Sequence, residues 1–140
     1  MNKEHAVAAA DMIVVDDEGK ILLTRRAIEP YKDHWVFPGG HIKSETPVEA
    51  VKRELFEETA LKVEVDSLYG AYTNMHSDPR NITLSVFYVG HVVGGKIERT
   101  IEVVESKFFA LNDLPKEIGF NHQEIIDDYK KSPEGQPLKK

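Results

Sequence analysis

No cysteine occurs among the 140 residues. Disulfides, thiolate nucleophiles and cysteine-ligated zinc or iron–sulfur centres are therefore excluded, and the chain suits a reducing compartment. No hydrophobic run approaches the ~18 to 20 residues of a membrane-spanning helix. The apolar stretch Ala6 to Val15 is interrupted by Asp11 and has neither a basic leader nor a clear cleavage site, so it is not expected to be a signal peptide. Positive charge is also in deficit, with 18 Lys and Arg against 24 Asp and Glu and a net charge of -6. Such a balance disfavours a nucleic acid polymer as partner, because counterion release needs a basic face. A cytoplasmic protein with no membrane contact is expected. Hydrophobic residues at 41% and charged residues at 30% describe a globular chain. At this length one core buries roughly two-thirds of the unfolded surface.

A single domain over residues 1–131 is expected, followed by a flexible tail at 132–140 that holds two Pro and one Gly without apolar period. Ala6 to Val15 and Lys20 to Arg26 flank Asp16-Asp17-Glu18-Gly19 and read as two strands joined by a tight turn. Val63 to Tyr72 and Asn81 to Val93 are further strands, and the second is apolar on both faces, as in a sheet covered on two sides. Gly94-Gly95 reads as a hairpin turn into Lys96 to Thr100, and Val103 to Leu111 is the last strand. A capping box at Thr46-Pro47-Val48-Glu49 opens a helix running to about Thr59. A second helix follows Asn121 as N-cap, with His122, Ile125, Ile126 and Tyr129 on one stripe. The expected class is α/β, a mixed sheet with helices on both faces.

The first helix carries Glu54, Glu57 and Glu58 at i, i+3, i+4, on one face. Like charges at that spacing cost a few tenths of a kcal/mol each, and the helix C-terminus disfavours negative charge further. A hard divalent cation would supply the missing positive charge, because Mg2+ or Mn2+ prefers carboxylate, carbonyl and water oxygens. A solvated Glu/Lys surface is the plainer alternative; the flanking residues decide against it. A glycine pair, Gly39-Gly40, follows a short apolar piece, Glu45 stands six residues after Gly39, and Arg53 adjoins Glu54.

These residues resemble the box of the Nudix hydrolase family, G-x5-E-x7-R-E-U-x-E-E-x-G-U with U apolar. Gly39, Glu45, Arg53, Glu54, Leu55, Glu57, Glu58 and Leu61 meet eight of its nine specified positions. Ala60 stands where the pattern has Gly, at a cost of roughly 1 kcal/mol if the helix exits with positive φ. The loop His41 to Ser44 is one residue shorter than usual, which leaves both Gly39 and Gly40 as carbonyl donors to a metal.

The resemblance implies an α/β/α sandwich and water attack on a nucleoside diphosphate linked to a further group. It implies Mg2+, with Mn2+ as the alternative, on Glu54, Glu57 and Glu58, and Arg53 holding those glutamates by ion pairs. Glu105 is the candidate general base, with Glu102 its rival. Arg25, Arg26, Arg80 and His41 are candidate substrate contacts. Asp78-Pro79-Arg80 and Phe120-Asn121-His122 look like stretches of ADP-ribose pyrophosphatases, so ADP-ribose or a related nucleotide sugar is the first expectation. Nucleoside triphosphate pyrophosphohydrolysis, including sanitation of oxidised nucleotides, is the alternative; an inactive nucleotide sensor comes after it. The resemblance also allows a homodimer. Gly90 to Lys96 fits the phosphate-loop spacing, but Ile97 replaces Ser or Thr and no helix follows, so it is set aside.

Overall fold

A computed structural model describes residues 5–138. The strand β1 (Val7–Val14) lies inside a four-stranded sheet of order β4-β1-β6-β5, made with β4 (Gly39–His41), β5 (Leu61–Thr73) and β6 (Thr83–Gly95). β1 runs parallel to β6 and antiparallel to β4, so the sheet is mixed. A second sheet, β3-β2-β7, joins β2 (Ile21–Arg26) to β3 (Trp35–Val36) and β7 (Val103–Phe109), both antiparallel. Side chains alternate across β1, and the two faces feed different cores. Ala10, Met12 and Val14 pack with Ala50, Val51 and Leu55 of the helix α1 (Pro47–Thr59). Ile13 packs with Ile125, Ile126 and Tyr129 of the helix α2 (His122–Lys131). Helices therefore cover both faces, as expected. No helix among the described residues is long and apolar enough to cross a membrane.

The capping box forms as read. Thr46 Oγ1 accepts from Glu49 N at 3.2 Å, and Thr46 N donates to Glu49 Oε1 at 2.9 Å. At the other end Ala60 adopts φ 65, the left-handed conformation that favours glycine.

The Asp16–Gly19 turn forms as read, with Asp16 Oδ1 accepting from Glu18 N and Lys20 N, and the two strands that it joins enter different sheets. Both edges of β1 are taken by β4 and β6, so β2 meets it only at the Val15–Ile21 bridge and enters the other sheet. Gly94-Gly95 is no hairpin turn: β6 runs through it, with Gly94 opposite Lys62 and Gly95 opposite Leu61. A Cβ on Gly95 would overlap the Ala60 carbonyl, so glycine lets β6 pass close to the exit of α1. Residues 96–100 form no strand and instead bind the end of α1, with Glu98 N donating to Thr59 O and Thr100 Oγ1 to Glu58 O. Asn121 sits at the N-cap of α2 but makes no side-chain cap; its Nδ2 donates to Thr73 O at 3.2 Å. The segment after α2, expected to fray, is tied down at Gln136, whose N donates to Tyr69 O and whose side chain bonds both backbone groups of Ala71.

Candidate active site

Arg53 organises the acidic face of α1. Its Nε and Nη2 donate to the two oxygens of Glu45 at 2.9 and 2.7 Å, a bidentate fork. Nη1 donates to Glu54 Oε1 at 2.8 Å and to both oxygens of Glu57 at 3.2 and 3.1 Å. Nη2 also reaches His41 O at 3.2 Å, linking the helix to the glycine strand. The fork holds the Glu45 carboxyl down at about 2 and raises the guanidinium further above its ordinary value. One cation thus partly offsets three carboxylates, and the like-charge penalty expected along this face is only partly relieved.

Glu54 and Glu58 face inward against the glycine pair. Gly39 N donates to Glu58 Oε1 at 2.8 Å. A Cβ on Gly40 would lie 2.5 to 2.8 Å from the Glu54 carboxylate, and one on Gly39 would overlap Asp11 Oδ1. The two glycines therefore let β4 pass between α1 and β1 with carboxylates against it on both sides. Asp11 is 8% exposed, and its carboxylate accepts from the Ser85 hydroxyl. Burial, and then the nearby Glu54 charge, outweigh that bond and push Asp11 up to about 7. Glu58 keeps a partial opening toward solvent, yet protein encloses its carboxyl, and desolvation raises it well above the ordinary range. The Gly39 bond opposes that rise; Glu54, Asp11 and Glu102 add to it.

These acids open into a cavity of about 310 Å³. Asp11, Glu54, Glu58 and Glu102 line it together with Gly39 and Gly40. Arg26, Lys43 and Arg80 bring positive charge to the same walls, and Phe120 and His122 supply flat apolar surface. Arg26 stands with its guanidinium carbon 5.1 Å from the Phe120 ring centre, a cation–π contact. A cavity with clustered acids, separate cations and aromatic rings suits a polyanion bridged by metal and flanked by a planar group.

Among the described residues, no three His, Asp or Glu side chains converge closely enough to hold an ion by themselves. The donor set nevertheless fits a hard divalent cation, because every acid here offers oxygen and two of them are held with raised affinity for positive charge. Mg2+ in phosphate-handling sites uses one or two carboxylates plus substrate oxygens and water, and needs no all-protein cage.

Residues 5–129 match the family model described as NUDIX domain. The chain belongs to the Nudix hydrolase family. It is 41% identical over 126 residues to a Methanocaldococcus jannaschii protein named ADP-ribose pyrophosphatase, an alignment covering 89% of this chain and 73% of the relative. A crystal structure of a Nudix hydrolase from Nitrosomonas europaea matches at TM-score 0.81 and 27% identity, over 98% of this chain and 77% of that one. A MutT Nudix hydrolase from Burkholderia pseudomallei matches at TM-score 0.79 and 26% identity, over 89% and 98% respectively. Enzymes of this family generally use divalent metals.

Of the residues singled out in the Nudix box, Gly39, Gly40, Glu54 and Glu58 line the cavity, with Arg26, Arg80 and His41. Glu57 does not line it; its carboxylate is about half exposed and lies on Arg53. Arg25 and Glu105 also stay outside the lining and face each other, with Arg25 Nε 3.5 Å from Glu105 Oε1. The irregularity between Arg25 and Arg26 explains the split: Arg25 pairs in register with Glu105, while Arg26 shifts to Val103 and faces the cavity. Glu105, the first choice for the base, thus lies outside the lining, and its rival Glu102 stands on the cavity wall. Sequence reasoning missed Asp11 and His122 as lining residues. The available signal for Asp11 was one acid inside an apolar strand; His122 was read as part of a helix stripe and of the Phe120-Asn121-His122 stretch, with no site role of its own.

Proposed function

We propose that this Nudix hydrolase cleaves a nucleoside diphosphate linked to another moiety, with ADP-ribose or a related nucleotide sugar as substrate and Mg2+ as the preferred cation. The observation that carries this reading is the joining of Asp11, Glu54 and Glu58 to Arg26 and Arg80 in one cavity. Acids alone would repel a diphosphate; cations alone would bind it without activating water. The M. jannaschii relative's name adds support for ADP-ribose.

In the proposed reaction, water attacks one phosphorus, the bridging P–O bond breaks, and ADP-ribose gives AMP and ribose 5-phosphate. Glu54, Glu57 and Glu58, with a carbonyl of Gly39 or Gly40, would hold the metal, which neutralises phosphate charge and lowers the pKa of bound water. Arg53, anchored on Glu45, keeps Glu54 and Glu57 in position without touching substrate, while Gly39 N holds Glu58. Arg26 and Arg80 take phosphate oxygens, and His41 is a further contact at the rim. Glu102 takes the proton lost by the attacking water. A cytoplasmic setting belongs to the same proposal, as does the homodimer.

Purified protein incubated with Mg2+ and ADP-ribose should release AMP, and chelation should stop it. Glu57→Gln should abolish that turnover while the circular-dichroism spectrum stays that of the parent. Nucleotide sugars, dinucleoside polyphosphates and nucleoside triphosphates run beside it separate the substrate classes. Preference for a triphosphate, or turnover unaffected by chelation, would overturn the assignment. Tight nucleotide binding without any product would instead make the protein a sensor.

A further inference from the structure

His122 is the first residue of α2 and is only 8% exposed. Its ring is packed among three phenylalanines, with centroids 5.5 Å from Phe37, 5.7 Å from Phe87 and 5.8 Å from Phe120. The backbone N–H of Phe37 donates to His122 Nδ1 at 2.9 Å, across 85 residues of sequence. A backbone amide can only donate, so Nδ1 carries a lone pair and the ring proton is on Nε2. Burial, and then the charge of Arg26, push the imidazole down to about 3, so it stays neutral and keeps this tautomer.

The remaining N–H has no partner in the protein among the described residues. Two side-chain atoms there are both enclosed and unpartnered, Ser77 Oγ and Ser106 Oγ, and His122 Nε2 is not one of them. His122 itself is one of the residues that line the cavity. Arg26 lies against the same Phe120 ring; its Nε donates to Pro30 O at 2.6 Å, and it forms no ion pair within 4.0 Å among the described residues. The positive end of the α2 dipole falls at the same place.

We propose that His122 is a substrate-binding residue whose Nε2–H donates to a phosphoryl oxygen of the bound nucleotide, beside the Arg26 guanidinium. This rests on the nucleotide reading above and adds to it a contact that carries no charge. Arg26 attracts any anion. A single fixed N–H on a ring locked by Phe37 accepts only an oxygen placed in line with it, so it governs position more than charge. A neutral donor also releases its ligand after cleavage more readily than a second cation would.

The test uses the full chain labelled with 15N in histidine and arginine side chains, titrated with AMP. In free protein the Nε2 of His122 should show the protonated resonance and Nδ1 the unprotonated one. AMP should move both His122 Nε2–H and Arg26 Nε–H. A proton on Nδ1, or an Arg26 response with His122 unmoved, overturns the inference and leaves the nucleotide reading intact. Both responses without ADP-ribose turnover overturn the reading of the reaction and support the contact. Kinetics give the second arm: His122→Phe should raise KM for ADP-ribose about 10-fold or more, the worth of a hydrogen bond to a charged group, with kcat within a few-fold. His122→Gln, which can still accept from Phe37 and donate, should recover most of it. An unchanged KM in folded His122→Phe overturns the inference, since a purely structural histidine would alter stability alone.

Discussion

Gln136 meets Ala71 as a neighbouring strand would: Oε1 accepts from the Ala71 N–H at 2.8 Å, and Nε2 donates to the Ala71 carbonyl at 2.9 Å. β5 is the outer strand of its sheet, and an unpaired edge of that length is a template for another chain. A Cβ on Gly70 would overlap the Gln136 side chain, so glycine there admits the approach. Gln136→Ala should lower stability by about 1 to 2 kcal/mol, two neutral hydrogen bonds' worth. A lowered urea midpoint measures the first effect. The variant should also associate through the uncovered β5 edge, which concentration-dependent sedimentation velocity measures, and Gly70→Ala should reproduce both effects.

Ala60 closes α1 at φ 65 where the family pattern has glycine. A side chain in the left-handed region costs about 1 to 2 kcal/mol, while glycine gives back about 0.5 to 1 through unfolded-state entropy. Ala60→Gly should therefore stabilise the protein by about 0.5 to 1 kcal/mol. A thermal midpoint equal to or below the parent's would contradict this account of the helix exit.

The helix and its acids were legible because their signals are local. Thr46 to Glu49 is a cap in four residues, and Glu54, Glu57 and Glu58 declare a face by spacing. Strand pairing is decided at a distance and was not legible: Val15 and Ile21 flank a sound turn, yet β1 finds its parallel partner at Thr83 to Gly90. That Glu102 lines the cavity while Glu105 faces Arg25 goes with an irregularity between Arg25 and Arg26 that no local pattern marks. Asp11 looked like a blemish in an apolar strand; only the fold sets its carboxylate among Ser85, Gly39 and Glu54.

Arg53 binds Glu45 through a fork, which a lysine cannot reproduce. Arg53→Lys keeps the charge but must give up most of the bonds to Glu45, Glu54, Glu57 and His41. Loss of such support behind metal-binding groups costs about 10- to 100-fold in activity. Metal-dependent kcat should fall by that range with KM little changed and the circular-dichroism spectrum preserved. Equal kcat in the variant would leave Arg53 a surface ion pair only.

Asp11 and Glu58 give the apo protein a definite pH dependence. Both carboxyls bind protons more tightly in the fold than in the open chain, Asp11 with a value raised from 3.8 to about 7. Between those values the native state holds the extra proton, so the Asp11 contribution to stability declines as pH rises and is fully lost above about 7. A divalent cation held by these carboxyls would replace the proton and favour the ionised pair, and so would act most strongly where the proton is gone. Saturating Mg2+ should raise the thermal midpoint more at pH 8 than at pH 5. Asp11→Asn should flatten the pH dependence of the apo midpoint and shrink the Mg2+ effect at pH 8. Scanning calorimetry in chelator and in Mg2+ at both pH values measures this; equal Mg2+ shifts at pH 5 and pH 8 would show that the buried acids do not exchange protons for the cation.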